Sequence, residues 1–584
     1  MSLALTEHKR DQRATSVWPF WLRGVDFLSG GLFGVWLFHI AHPADVRRIF
    51  LALVIGCCLF AAQARRKLFF VRLFRKIFSA LVLRPKLRRT LGFSFVFLLI
   101  AKGTLKALAL EYPLFDVGIF HQLLWNVSQG NGFLSSISEA EQFLRDHFVL
   151  SLSVFTPLYR LAALSPWTLG AAPGFLAGAL LASVFSAWWY LAEKFPATSL
   201  HRRAWVASAL ILAAFGFETF YGNLHWGLHE NLAGAAFFSW GLCVYFVHSK
   251  ENGMKGVMGF LGALILLVLA AISKESYLLV IAFASMGLVL AEKRFGRKAV
   301  FTALTVSCLA VFVWYAQSNR DPGKNYFTRY YGYLGSDLKS MIQTLIFHPI
   351  TAVQGMPLKQ DFKYLLQIVF PLGLLPLSIL SYRLMKEPGT QSVSRWSWAI
   401  AIGLLPPIGS GLLATHDTLR DPGLHYFFEF VPVLGVLTLF ALFSLRARLA
   451  QRWAFVLILV SWFCFWSEPW RDLTPSALAA YRNTALIEKM NRIPQDAVVM
   501  TQNGAGPWLA SRRKAADWPN LKAIGGFCPD YFVFEADPAI PAEKLQKFTE
   551  IEQVLKQCAN GSRPSRVDLV DSSGHWWIVK RRDG

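Results

Sequence analysis

What most constrains this chain is a succession of apolar runs, each long enough to cross a bilayer. A spanning helix needs about 20 residues, because the hydrocarbon core is about 30 Å thick and a helix rises about 1.5 Å per residue. Thirteen runs qualify, near 24–42, 48–64, 91–110, 166–190, 204–221, 231–247, 257–273, 277–291, 299–316, 363–382, 396–413, 426–444 and 453–467. In lipid every backbone polar group must be satisfied within the protein, and such runs do this as helices. The expected fold is therefore mainly α, a polytopic helical membrane protein of about 13 transmembrane helices.

The loops between these runs alternate in charge. Lys9, Arg10, Arg13 and Arg23 precede the first run, and residues 65–89 carry ten Lys/Arg and no acid. Further basic groups follow at Lys194, Arg202 and Arg203, at Lys250 and Lys255, and at Lys293, Arg294, Arg297 and Lys298. The last are Arg383, Lys386 and Arg395, then Arg446, Arg448 and Arg452. With thirteen spans all of these fall on one side, which the positive-inside rule identifies as the cytoplasm. Those loops hold 29 Lys/Arg against six acids, an excess equal to the chain's whole net charge of +23. The charge is thus a topology signal, not a nucleic-acid footprint. A chain 54% hydrophobic and only 16% charged is neither a soluble domain nor disordered.

The N-terminus is expected inside and the C-terminus outside. The first run lacks a small-residue cleavage site and reads as an uncleaved span. Within the basic loop, residues 68–83 mix Phe, Leu and Val with Arg and Lys, the pattern of an interfacial helix on an anionic leaflet. Three regions result: residues 1–90 with two spans and the basic segment, a membrane core at 91–467, and 468–584 outside. The last has ordinary polarity and short strand-like runs at 497–500 and 531–534, expected as a small extracytoplasmic α/β domain. Of seven cysteines, Cys57, Cys58, Cys243, Cys308 and Cys464 lie in or beside spans. Cys528 and Cys558 lie in the outer region, where an oxidising compartment permits a disulfide.

Ionisable groups near the bilayer collect on the outer side, and such groups mark functional sites. The first large outer loop, 111–165, carries Glu111, Asp116, His121, Asp146 and His147. Later outer turns carry His225, His229 and Glu230, then Lys274 and Glu275, then Arg329, and finally His416, Asp417, Arg420, Asp421 and His425. Asp116 opens an amphipathic run and also suits a helix cap. His225 and His229 are four apart, one helical face, and with Glu230 they form a candidate divalent-metal set, though the order is not that of a common zinc motif. Lys102 sits well inside a span, placed either to snorkel outward beside Lys106 or to reach a buried acid.

The stretches FDVGIFHQLLWN, DHF and TPLYRL resemble a bacterial membrane-protein family, domain of unknown function 2079, and the likeness continues through HWGLHEN, SKES, RYYGYLGSD, HYFFEFVPVL and IPQDAVVMTQNGAGPWLASRR. It spans roughly residues 95–535, with Val117 in place of the usual Leu. That family is distantly similar to the polytopic C-type (GT-C) glycosyltransferases, which take a sugar from a polyprenyl-phosphate carrier at the outer membrane face. The resemblance implies a membrane glycosyltransferase of the bacterial inner membrane, with an envelope glycan, lipid or protein as acceptor. It implies a base at Asp116, which matches in place but lacks the acidic neighbour usual in those enzymes. Asp146 and Glu230 are alternative catalytic carboxylates. Lys274, Arg329 and Arg420 are candidates for the phosphate, while His147, His229 and His425 can orient sugar hydroxyls or a metal. A transporter or flippase of a lipid-linked precursor is the alternative, and no inverted repeat is visible to support it. An assembly protein whose outer region binds a partner is a third reading.

Overall fold

The computed structural model describes residues 85–138, 142–145, 147–162, 167–194, 227–248, 251–318, 326–369, 396, 398–420, 425–444, 473–512, 514–518, 527–558, 566–573 and 575–582. The chain divides into two compact units, 1–80 and 81–584, and every described residue belongs to the second. The expected spans at 24–42, 48–64, 204–221 and 453–467, most of that at 363–382, and the interfacial helix at 68–83 lie outside the described residues.

Apolar sequence becomes helix where expected. Helix α1 (Pro85–Leu108) leads to the outer loop, in which a short helix α2 (Ile119–Ser128) follows Asp116. Helix α3 (Ala172–Lys194) returns, and α4 (Glu230–His248), α5 (Gly253–Ala271), α6 (Glu275–Ala291) and α7 (Phe295–Ser318) follow in close succession. Helices α8 (Leu358–Val369), α9 (Leu405–Leu413) and α10 (Val431–Ser444) complete the described membrane part. Among the described residues, α4, α5 and α7 have the length and composition to cross a membrane, and α6 is a shorter apolar helix.

Packing separates buried from lipid-facing helices. Helix α4 lies between α3 and α5, and α6 packs along α7. Met254, Val257, Met258, Leu261, Ile265 and Val268 form an exposed stripe on α5, as Val306, Leu309, Val313 and Trp314 do on α7. Their spacing of three and four places each set on one face. Contiguous exposed apolar surface is a liability in water but the ordinary outer surface in a bilayer. Where α1 meets the turn before α3, small residues allow backbone contact: a Cβ on Gly103 would strike the Gly170 carbonyl, and one on Gly170 would strike Gly103.

The C-terminal residues build a five-stranded sheet in the order β2-β1-β3-β5-β4. Its strands are β1 (Val499–Thr501), β2 (Ala515–Asp517), β3 (Tyr531–Glu535), β4 (Arg566–Ser573) and β5 (Trp576–Arg582). β1 pairs in parallel with β2 and β3, whereas β5 runs antiparallel to β3 and β4. Helices α11 (Leu473–Met490), α12 (Gly506–Leu509) and α13 (Pro541–Cys558) accompany it. Side chains alternate between its faces. Met500, Phe532, Phe534, Trp577 and Val579 pack on Ile551, Val554 and Leu555 of α13. On the opposite face Val499, Val533, Trp576 and Ile578 share a core with Ala107, Leu110, Tyr112 and Val117. The sheet is therefore seated directly on the loop that carries Asp116. Cys528 and Cys558 form a disulfide joining the lead-in of β3 to the end of α13.

Candidate active site

Asp116 sits in a single wide helical turn, Leu114–Gly118, between α1 and α2. It does not cap α2: the residue at that position is Gly118, and no side chain bonds the first turn. The turn is instead held from outside, by the Leu114 N–H donating to Asn503 Oδ1 at 3.1 Å. Gly227 makes the approach from the next element possible. Its φ of +92° is a left-handed conformation, and a Cβ there would collide with Val117.

From Asp116 a chain of ionisable groups runs inward. Asp116 Oδ1 lies 3.6 Å from His229 Nε2, His229 Nδ1 lies 3.5 Å from Glu230 Oε2, and Glu230 Oε1 pairs with Lys274 Nζ at 2.9 Å. The Lys274 ammonium stands 4.6 Å from the Tyr426 ring centroid, a cation–π contact. Beside it His147 Nδ1 meets Glu275 Oε1 at 3.2 Å, and the Phe148 N–H donates to Glu275 Oε2 at 3.1 Å. Ser276 donates to buried Glu429, which stands just ahead of α10. Glu230 and Glu275 are the first residues of α4 and α6. Two helix N-termini thus face this cluster, where their dipoles favour carboxylates.

Burial grades along the chain. The side chains of His229, Glu230 and Lys274 are only 3–4% exposed, whereas that of Asp116 is 26% exposed. Asp116 is the most exposed member of the chain. Burial raises its pKa above the ordinary carboxylate range, with Glu230 adding to the rise and the charge of His229 opposing it. For His147 burial acts against the charged imidazolium, but Glu275 outweighs it and the net shift is upward.

Other expected residues are placed differently. Arg420 Nε pairs with buried Asp361 of α8 at 2.9 Å, Nη1 with Asp417 at 3.3 Å, and Nη2 donates to the Ala414 carbonyl. Its charge is already answered within the protein. Arg329 is exposed, its guanidinium 5.9 Å from the Tyr330 ring. Asp146, His225 and the side chain of His425 lie outside the described residues. Among the described residues no group of three or more His, Cys, Asp or Glu side chains has the arrangement of a metal site. Both Glu230 oxygens face nitrogen partners.

Sequence reasoning missed Glu429, Ser276, Tyr426 and Asp361. Glu429 carried a usable signal, being an acid inside an apolar run. The His and Gln of FDVGIFHQLLWN have a different task. Pro507's carbonyl can only accept, so His121 Nδ1 donates to it at 2.6 Å and Nε2 accepts from the Tyr159 hydroxyl at 2.8 Å. Burial holds this imidazole neutral, its pKa lowered to about 4. Gln122 Oε1 accepts from Ser135 Oγ and the Ser136 N–H, both at 2.9 Å, and its Nε2 donates to Ser136 Oγ and to the Arg512 carbonyl, both at 3.0 Å. These side chains lock the loop to the sheet.

A family model described as "Predicted membrane protein (DUF2079)" matches residues 107–584, reaching the C-terminal sheet in full. Among solved structures, the chain is similar to the crystal structure of ArnT from Cupriavidus metallidurans bound to undecaprenyl phosphate. The identity is 10% and the TM-score 0.46, over 85% of this chain and 98% of that one. No curated protein matches the sequence.

Proposed function

Because the chain belongs to the DUF2079 family of predicted membrane proteins, we propose that it is a membrane glycosyltransferase that moves a sugar from a polyprenyl-phosphate donor to an envelope acceptor. The observation that carries this reading is the graded chain Asp116–His229–Glu230–Lys274, whose one accessible member is a carboxylate of raised pKa. An inverting transfer needs that group. Asp116 takes the proton of the acceptor hydroxyl as its oxygen bonds to the sugar's anomeric carbon, and the bond to phosphate breaks with its electron pair leaving on the polyprenyl phosphate. His229 orients Asp116, and Glu230 with Lys274 holds His229. Lys274 and His147, the further basic groups of this cluster, are proposed to stabilise the leaving phosphate as it gains charge.

The outer membrane face is the proposed place of reaction. The alternating basic loops support that orientation, as does the disulfide Cys528–Cys558 in the region assigned outside. The reading is tested with purified protein in liposomes and polyprenyl-phosphate glucose or N-acetylglucosamine, following release of polyprenyl phosphate. Asp116→Asn is expected to fold normally and lose release by at least about 100-fold. Full release in that variant removes Asp116 as the base, and donor crossing the bilayer without release points to a flippase.

A further inference from the structure

The contacts between the C-terminal sheet and the outer loop bracket Asp116 in sequence. Ahead of it, Leu114 opens the Asp116 turn, and the preceding Pro113 has no side chain able to cap it. Asn503, 389 residues along the chain, supplies the missing acceptor through Oδ1 at 3.1 Å. The fit around it is close. Gly504 has φ +46°, and a Cβ there would lie 2.7 Å from the Leu110 carbonyl oxygen, while one on Gly506 would lie 2.5 Å from the Leu114 side chain. Behind Asp116, His121 donates to the Pro507 carbonyl at 2.6 Å. A third tie reaches back to the end of α1, where the indole N–H of Trp508 donates to the Ala107 carbonyl at 2.9 Å. One short segment, residues 502–509, thus grips the loop on both sides of the carboxylate.

We propose that this segment, the turn after β1 together with α12, is a clamp that positions Asp116, with Asn503 and His121 as positioning residues for the transfer reaction. The proposal rests on the reading of Asp116 as the base. Its physical basis is that the turn has no side-chain cap of its own, so its orientation comes from the sheet. Misplacing a catalytic group by about 1 Å can cost about 100-fold in rate. The sheet is then part of the catalytic apparatus although none of its side chains touches the reacting atoms.

Hydrogen exchange and donor turnover, both on the full-length protein, test it together. Asn503→Ala is expected to speed amide exchange in peptides covering 110–118 while leaving those of α4–α7 unchanged. It is expected to lower kcat for polyprenyl-phosphate glucose about 10- to 100-fold with KM within about twofold. Asn503→Asp keeps the acceptor and restores both readouts. His121→Asn keeps a donor toward Pro507 and retains turnover, and His121→Phe does not. Unchanged exchange at 110–118 in Asn503→Ala overturns the clamp, whatever the activity. Faster exchange with full turnover, in a protein whose Asp116→Asn variant is inactive, overturns the positioning role and leaves the transferase reading intact. Full turnover in Asp116→Asn removes the base itself, a separate failure. If Asn503→Ala does not fold, the Asn503→Asp and His121 pairs decide between these outcomes.

Discussion

Asp116 and His147 respond to pH in opposite senses. Asp116 must be ionised to act as a base, and its pKa is raised by burial with a contribution from Glu230. Activity is therefore lost as pH falls through a value above the ordinary carboxylate range. The positive charge of His229 works against that rise, so His229→Gln is expected to move the acid limb of kcat/KM to still higher pH, measurable as a pH profile. An acid limb that stays in place in this variant breaks the link between His229 and the base. For His147 the partner is Glu275, which raises the imidazole above its ordinary value. The stabilisation of that pair is present in full below the unfolded pKa and is lost as pH rises through the folded one. Melting curves should show this loss in the wild type and not in His147→Gln. Sequence alone brought Asp116, His229, Glu230 and Lys274 into one shortlist, because charges beside apolar runs are rare enough to stand out. It did not show that Arg420 is neutralised, since Asp361 lies 59 residues away on another helix.

The ends of α4 and α6 were legible in the sequence, whereas those of α1, α3 and α5 lie two to six residues from the expected bounds. Helix contacts were the least legible feature. Helix α4 runs Glu230–His248 against an expected 231–247, and α6 runs Glu275–Ala291 against 277–291. Both begin at a charged residue because the apolar run stops there, and the same charge becomes part of the site. What periodicity does not carry is which faces meet. The contact of Gly103 with Gly170 depends on two glycines 67 positions apart, and nothing local marks them as a pair. Gly103→Ala is expected to push α1 from the turn before α3 at a cost of about 1–3 kcal/mol, seen as a lower Tm in detergent. Gly227→Ala combines a left-handed backbone with a collision against Val117, and a similar loss should come with reduced turnover, since the displaced residue adjoins Asp116. Asp361→Asn leaves the guanidinium of Arg420 buried with, among the described residues, only exposed Asp417 as a charged partner, and should lower stability by about 3 kcal/mol. A Tm unchanged in that variant shows the pair to be dispensable.

Two signals in the whole chain bear on its orientation, and they arise from unrelated physics. The alternation of basic loops reflects how Lys and Arg resist translocation, and it supports the proposed orientation with the N-terminus inside and the sheet outside. The Cys528–Cys558 disulfide reflects redox compartment, since cytosolic thiols are kept reduced. That the sheet sits on the Asp116 loop was not legible, because its inward face reads only as alternating apolar residues and does not name what they cover. Once that packing is known, orientation and catalysis become one question: the side that oxidises the two cysteines is the side on which Asp116 opens. Cys243 and Cys308 are free and buried. Protein taken directly from cells, denatured and alkylated without reductant, should therefore show two of its seven cysteines protected, with all seven reacting after reduction. Mass spectrometry should assign the protected pair to Cys528 and Cys558. If all seven react without reductant, the disulfide does not form in the cell, and its support for transfer at the outer face is withdrawn.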